Sequence, residues 1–228
     1  MPNAFARYEL RALQPGAARA FYAGVLGEPD GLEFSELPER ARALGAVPHW
    51  LGQVSVPDVE AAAVAWVEAG AQRLGPTRRS ADGFEIVALK DAFGSVIGLT
   101  SREAHLGAVA WHELSTMDQE RAFLAYSARF GWQRAGSFEL DSTLGLYQEF
   151  SYAEGGPVGG MLSGVRLPGI HPHWLYYFAV SDLDASTAEA VARGARVVPM
   201  RFPLPEAGRF VVCEDPEGAI FALREVLK

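Results

Sequence analysis

The chain has 228 residues, 49% hydrophobic and 21% charged, a composition that excludes disorder and allows one large domain or two small ones. Lys and Arg number 20 against 28 Asp and Glu, and a net charge of -8 is opposite in sign to the footprint of a protein that grips nucleic acid by its phosphates. The single cysteine, Cys213, excludes an internal disulfide, no apolar run approaches the roughly 20 residues of a membrane span, and no secretory leader is evident, so a cytoplasmic protein is expected.

In chain order, a β-like run around Tyr8-Glu9-Leu10 leads to a helix that starts at Pro15 and ends near Gly27. The interval from Glu28 to Val47 has room for one or two strands only. Asp58 caps a second helix that ends at Gly70, and the Arg78-Arg79 pair beyond it reads as a polar loop. Asp118 caps a third helix ending near Gly131, and the small residues of 155–164 read as a turn and a strand. Asp182 caps a fourth helix that Gly194 stops. Short β-like runs at 196–199, 209–213 and 219–223 follow it, with Asp-Pro-Glu-Gly at 215–218 as a turn between the last two.

These elements repeat. Residues 48–102 lie on 172–226 without a gap, with fourteen identities in fifty-five, among them Pro-His-Trp-Leu at both starts, Asp58 on Asp182, Asp91 on Asp215 and Gly94 on Gly218. An earlier stretch repeats at a different offset: Tyr8-Glu9-Leu10 through Gly27 lies on His112-Glu113-Leu114 through Gly131. The second half therefore carries twenty extra residues before its Pro-His-Trp-Leu. The pattern predicts an α+β protein of tandem βαβββ modules, two per half, with the first module abbreviated, and domains at 1–104 and 105–228.

The segments Trp-His-Glu-Leu-Ser-Thr-Met-Asp (111–118), Tyr-Tyr-Phe-Ala-Val-Ser-Asp-Leu-Asp (176–184) and Cys-Glu-Asp-Pro-Glu-Gly-Ala-Ile-Phe-Ala-Leu (213–223) resemble the vicinal oxygen chelate superfamily of glyoxalases, bleomycin-resistance proteins and extradiol dioxygenases. The resemblance covers nearly the whole chain. It implies paired βαβββ modules whose curved sheets form two cup-like domains, and it implies little about reaction, since the fold hosts many chemistries. Metal-dependent members carry a ligand seven residues before the acidic helix start and another on the last strand. Here those positions hold Arg7, Leu51, Trp111, Leu175, Gly98 and Ala222, so the resemblance implies no metal and no cofactor.

Strand alternation assigns the faces. Leu10, Val54, Leu114 and Phe178 belong under the helices, which leaves Glu9 in the first half, and Trp111, Glu113, Ser115, His173 and Tyr177 in the second, on the cup face. These six are the candidate ligand-binding residues. Glu9 and Glu113 match by repeat, and a desolvated carboxylate at Glu113 could act as general acid or base; either glutamate could instead form a structural ion pair, with Arg7 or Arg11 the candidates for Glu9. His112, His171 and His173 offer a three-imidazole zinc site as a rival to a structural strand entrance. The expectation is a metal-independent protein that binds a small aromatic or apolar molecule, without nucleic acid or membrane and with room for a homodimer. The alternatives are a metal-independent lyase, isomerase or hydroxylase-like enzyme using Glu113, and a scaffold whose cups are filled by their own side chains.

Overall fold

The computed structural model describes residues 3–27, 31–104, 107–153, 155–199 and 208–226; part of the expected boundary near 104 lies outside them. The chain is α+β with two sheets. The first contains β1 (Phe5–Ala12), β2 (Leu32–Glu36), β3 (His49–Ser55), β4 (Gln72–Arg73), β5 (Arg78–Arg79), β6 (Glu85–Lys90) and β7 (Val96–Thr100). Its order is β2-β1-β3-β7-β6-β4, with β5 also on β6. The second contains β8 (Val109–Ser115), β9 (Gln133–Asp141), β10 (Gly145–Ser151), β11 (Gly159–Leu162), β12 (His173–Val180), β13 (Arg196–Val198), β14 (Phe210–Glu214) and β15 (Ile220–Glu225). Its order is β13-β14-β15-β12-β8-β11-β10-β9.

The helices are α1 (Pro15–Leu26), α2 (Glu39–Ala43), α3 (Val59–Glu68), α4 (Gln119–Phe130) and α5 (Leu183–Ala192). Asp58, Asp118 and Asp182 cap α3, α4 and α5 with side-chain oxygens on the third amide beyond, as the sequence predicts. Gly131, at φ 71°, closes α4 in the left-handed region that a side chain would resist. The N-cap Gln14 of α1 makes no side-chain cap bond; Glu217 instead accepts from the amides of Leu13 and Gln14 at 2.6 and 2.8 Å and sets a negative charge at the helix start.

In every module the first strand lies parallel to the last, with a helix between: β1 with β2, β3 with β7, β8 with β11, β12 with β15. Among the described residues the first module has one strand after its helix, β2, where the third has β9, β10 and β11. The expected loop at Arg78-Arg79 is a short exposed strand paired with β6, because the β6 edge supplies partners for its backbone. No helix among the described residues is long and apolar enough to cross a membrane.

By compactness the chain divides into two units that draw on both halves: Met1–Arg7, Gly52–Leu106 and His112–Trp174 form one, and Tyr8–Leu51, Gly107–Trp111 and Leu175–Lys228 the other. The first unit has an aromatic core in which Trp132 stacks on Phe150 (4.5 Å) and Tyr126 (5.4 Å), with Trp66, Phe130 and Trp174 around them. At its centre the Trp174 indole N–H donates to the Tyr126 hydroxyl (3.3 Å), which donates to Asp91 Oδ2 (2.8 Å), while Asp91 Oδ1 accepts the amides of Phe93 and Ser95. The second unit has the same arrangement by duplication. Trp50 donates to Tyr22 (3.0 Å), Tyr22 donates to Asp215 Oδ2 (3.1 Å), and Asp215 Oδ1 accepts the amides of Glu217 and Ala219. Burial pushes both aspartates above the usual carboxylate range, against these hydrogen bonds.

Candidate functional site

The aromatic cores fix which strand face is which. On β8, His112 stacks on Phe5 (4.4 Å) within the cluster that includes Tyr126 of α4, and Leu114 is fully buried. Trp111, Glu113 and Ser115 therefore occupy the opposite, helix-free face.

In the first unit, Glu113 is 5% exposed, and its Oε2 accepts the phenolic hydroxyl of Tyr147, itself 1% exposed, at 3.2 Å. Tyr147 stands on β10, two strands from β8, with β11 between them. Gly160 of β11 pairs with Glu113 on one side and Glu149 on the other, and a Cβ there would overlap Cε1, Cζ and Oη of Tyr147. The absent side chain lets the phenol cross the strand to the carboxylate. Phe138 of β9 stacks on the Tyr147 ring from behind at 5.0 Å. The buried Ser115 hydroxyl has no hydrogen-bond partner among the described residues and lies against Gly164, where a Cβ would overlap it.

In the second unit, Trp111 lies under the Arg224 guanidinium, whose carbon is 4.9 Å from the ring, and Tyr177 packs edge-on to Phe210 at 5.3 Å. Tyr177 pairs in register with Ala222, the late-strand position. Glu9 is also in this unit; its Oε1 accepts the Ser35 hydroxyl at 2.7 Å. His173 belongs to the first unit, at the start of β12, with Nδ1 donating to the His171 carbonyl at 2.7 Å.

The donor set does not fit a divalent ion. Trp111, Leu175 and Ala222 contribute no ligand atom, Gly160 stands at the matching position of β11, and no three His, Cys, Asp or Glu residues gather suitably among the described residues. The three-imidazole alternative is corrected: His112 turns to the helix side and donates through Nδ1 to the Val158 carbonyl at 2.8 Å. Cys213 is buried, and burial pushes its thiol up to about 11, which leaves it without nucleophilic character at neutral pH.

Burial also holds His112 neutral, lowering its pKa to about 4, and lowers His49 and His173. An unfolded histidine takes its proton near pH 6.5, so the unfolded chain binds more protons in the window from about 6.5 down to 4, and stability falls there as pH falls. Asp91 and Asp215 act with the opposite slope, since their folded forms hold protons above the unfolded value. We expect His112 alone to remove about 2–3 kcal/mol between pH 7 and 4. Urea unfolding across this range should show a slope that His112→Gln flattens; a slope indifferent to that change would contradict the assignment.

No profile of a described protein family matches the chain. Over 187 residues it is 32% identical to a protein of Mycobacterium tuberculosis named putative glyoxylase CFP32, covering 78% of this chain and 70% of that one. Over 130 residues it is 29% identical to the anthracycline biosynthesis protein DnrV of Streptomyces peucetius, covering 51% and 46%. Among solved structures, the 2,3-dioxygenase LapB from Pseudomonas sp. KL28 superposes with a TM-score of 0.67 at 11% identity, over 99% of this chain and 92% of LapB. A mutant of 4-hydroxymandelate synthase from Streptomyces coelicolor gives 0.62 at 14% identity, over 100% and 94%. The chain belongs to the vicinal oxygen chelate superfamily, among its glyoxalase-like members.

Proposed function

We propose that the protein binds a small, planar, largely aromatic molecule without a metal, on the helix-free face that carries Glu113, Tyr147 and Ser115. The observation that carries this reading is the Glu113–Tyr147 hydrogen bond built over Gly160, beside a buried Ser115 hydroxyl that has no partner among the described residues. A carboxylate and two hydroxyls on one strand face are convergent polar groups of the kind that orient an aromatic ligand. The name of the DnrV relative supports the ligand class, since an anthracycline is a planar aromatic polyketide. Glu113 and Tyr147 are buried, at 5% and 1% exposure. Entry therefore displaces the side chains that cover them, and association should be slower than about 10⁵ M⁻¹s⁻¹.

The test is a titration with an anthracycline, followed by its own fluorescence. Saturable binding is expected, and Glu113→Gln, which keeps shape and removes charge, should weaken it by about 1–3 kcal/mol with little change in unfolding. Equal affinity for the wild type and the Gln variant, or no binding, would contradict the reading. Glu113 and Tyr147 are also a proton donor and acceptor within reach of each other, which favours a metal-independent lyase, isomerase or hydroxylase-like enzyme as the second reading. In that case Glu113→Gln should lower turnover of the bound molecule by roughly 100-fold while affinity changes less.

A further inference from the structure

In the first sheet, β2 stands at the end of the strand order and pairs with β1 alone among the described residues. One bond fixes which way its backbone groups point. The Leu37 amide, just past the strand, donates to the Ala12 carbonyl at 2.8 Å, so Leu37 faces β1, and along an extended chain the direction alternates residue by residue. Glu33 and Ser35 therefore bond to β1, while Leu32, Phe34 and Glu36 turn their N–H and C=O groups to the open edge. No described residue donates to or accepts from these outward groups. Such an edge takes water or another strand.

Duplication shows what this edge accepts. In the second sheet β11 is the counterpart of β2, since Leu114 pairs in register with Met161 as Leu10 does with Phe34. The carbonyls of Val158 and Leu162 accept from the amides of His112 and Thr116, so Gly159 and Met161 face the other way. There β10 runs antiparallel to them, with Phe150 opposite Gly159 and Gln148 opposite Met161. Leu32 and Phe34 offer the same outward groups on β2, and no strand among the described residues takes the place that β10 fills.

We infer that β2 is a dimer edge, to which a second copy of this chain adds its own β2, antiparallel, about a two-fold axis at Phe34. That axis sets the two Phe34 residues opposite each other and each Leu32 opposite a Glu36, so every outward residue meets an outward residue and bonds are exchanged at each pair. Glu33 then stands opposite Ser35, and no carboxylate faces another. An axis at Glu33 would put the two Glu33 side chains face to face, and one at Ser35 would put Leu32 against Pro38, which has no N–H. Self-complementarity singles out a second copy as the occupant: the two edges use each other up, and assembly closes at two chains. The strand is short and the Phe34 ring already packs on Tyr22 and Trp50, so little new surface is buried and the dimer forms only as concentration rises.

The experiment uses the full chain in sedimentation equilibrium from about 10 μM to about 1 mM, with amide hydrogen exchange at both ends of that range. The mass should rise from one chain towards two. Exchange at Leu32, Phe34 and Glu36 should slow about threefold or more at the high concentration, while Glu33 and Ser35, already bonded to β1, change little. Glu36→Pro removes one outward N–H at an exposed position and touches no bond to β1, so it should weaken association about tenfold or more with the melting temperature of the single chain nearly unchanged. Should that variant unfold, the alternating exchange pattern of the unaltered chain decides alone. A chain that stays single at about 1 mM, a dimer that protects β9 or another segment in place of Leu32, Phe34 and Glu36, or association as tight in folded Glu36→Pro would overturn the proposal.

Discussion

Tyr126→Phe should destabilise the protein by about 2–4 kcal/mol and lower its melting temperature by roughly 5–12 °C. The hydroxyl it removes is fully buried, donates to Asp91 and accepts from Trp174, so its loss leaves a carboxylate oxygen and an indole N–H short of a partner where water does not reach. Shape is almost unchanged, and a smaller effect would point to water entering the gap. The deficit should shrink at low pH. Burial already raises the Asp91 pKa, the tyrosine bond opposes that rise, and without the bond the aspartate protonates more readily in the folded state. Tyr22→Phe should behave alike through Asp215 and Trp50, and calorimetry of the two variants at pH 5 and 8 checks both.

Gly160→Ala should cost about 1–3 kcal/mol and break the Glu113–Tyr147 contact. The added methyl would meet the tyrosine ring itself, which Phe138 blocks from behind, so neither β11 nor the ring can yield by rotation alone. Adding Tyr147→Leu to Gly160→Ala should recover part of the stability without restoring ligand affinity, because the obstacle is gone but so is the hydroxyl. If Gly160→Ala were as stable as the wild type, the glycine would be incidental and the crossing phenol would have another support.

The architecture was legible because duplication wrote it twice. Pro-His-Trp-Leu, the Asp caps and the Asp-x-x-Gly turns recur at fixed offsets, and the caps and helix ends fall where those residues put them. Face assignment followed from alternation alone, which is why Glu113 and Ser115 emerged as neighbours on one side of β8. Tyr147 was out of reach. Its pairing with Glu113 depends on the order β8-β11-β10, on the register of β10 against β11 and on a bulge between β9 and β10, and none of these leaves a mark in local sequence. The available signal was Gly160 itself, a glycine inside a strand, which points to close approach by another group. The Trp–Tyr–Asp networks were likewise present as three matched pairs, Trp50 with Trp174, Tyr22 with Tyr126 and Asp91 with Asp215, but their convergence is a property of packing.

Metal-independent binding at the Glu113 face is the central claim, and it is tested most directly by titrating the anthracycline into protein purified without chelator and again after exhaustive chelation, with elemental analysis of both samples. Trp111, Leu175, Gly160 and Ala222 at the ligand positions predict metal far below one ion per chain in both samples and the same affinity in each. About one zinc, iron, manganese or nickel ion per chain before chelation, with binding lost when it is removed, would contradict the account.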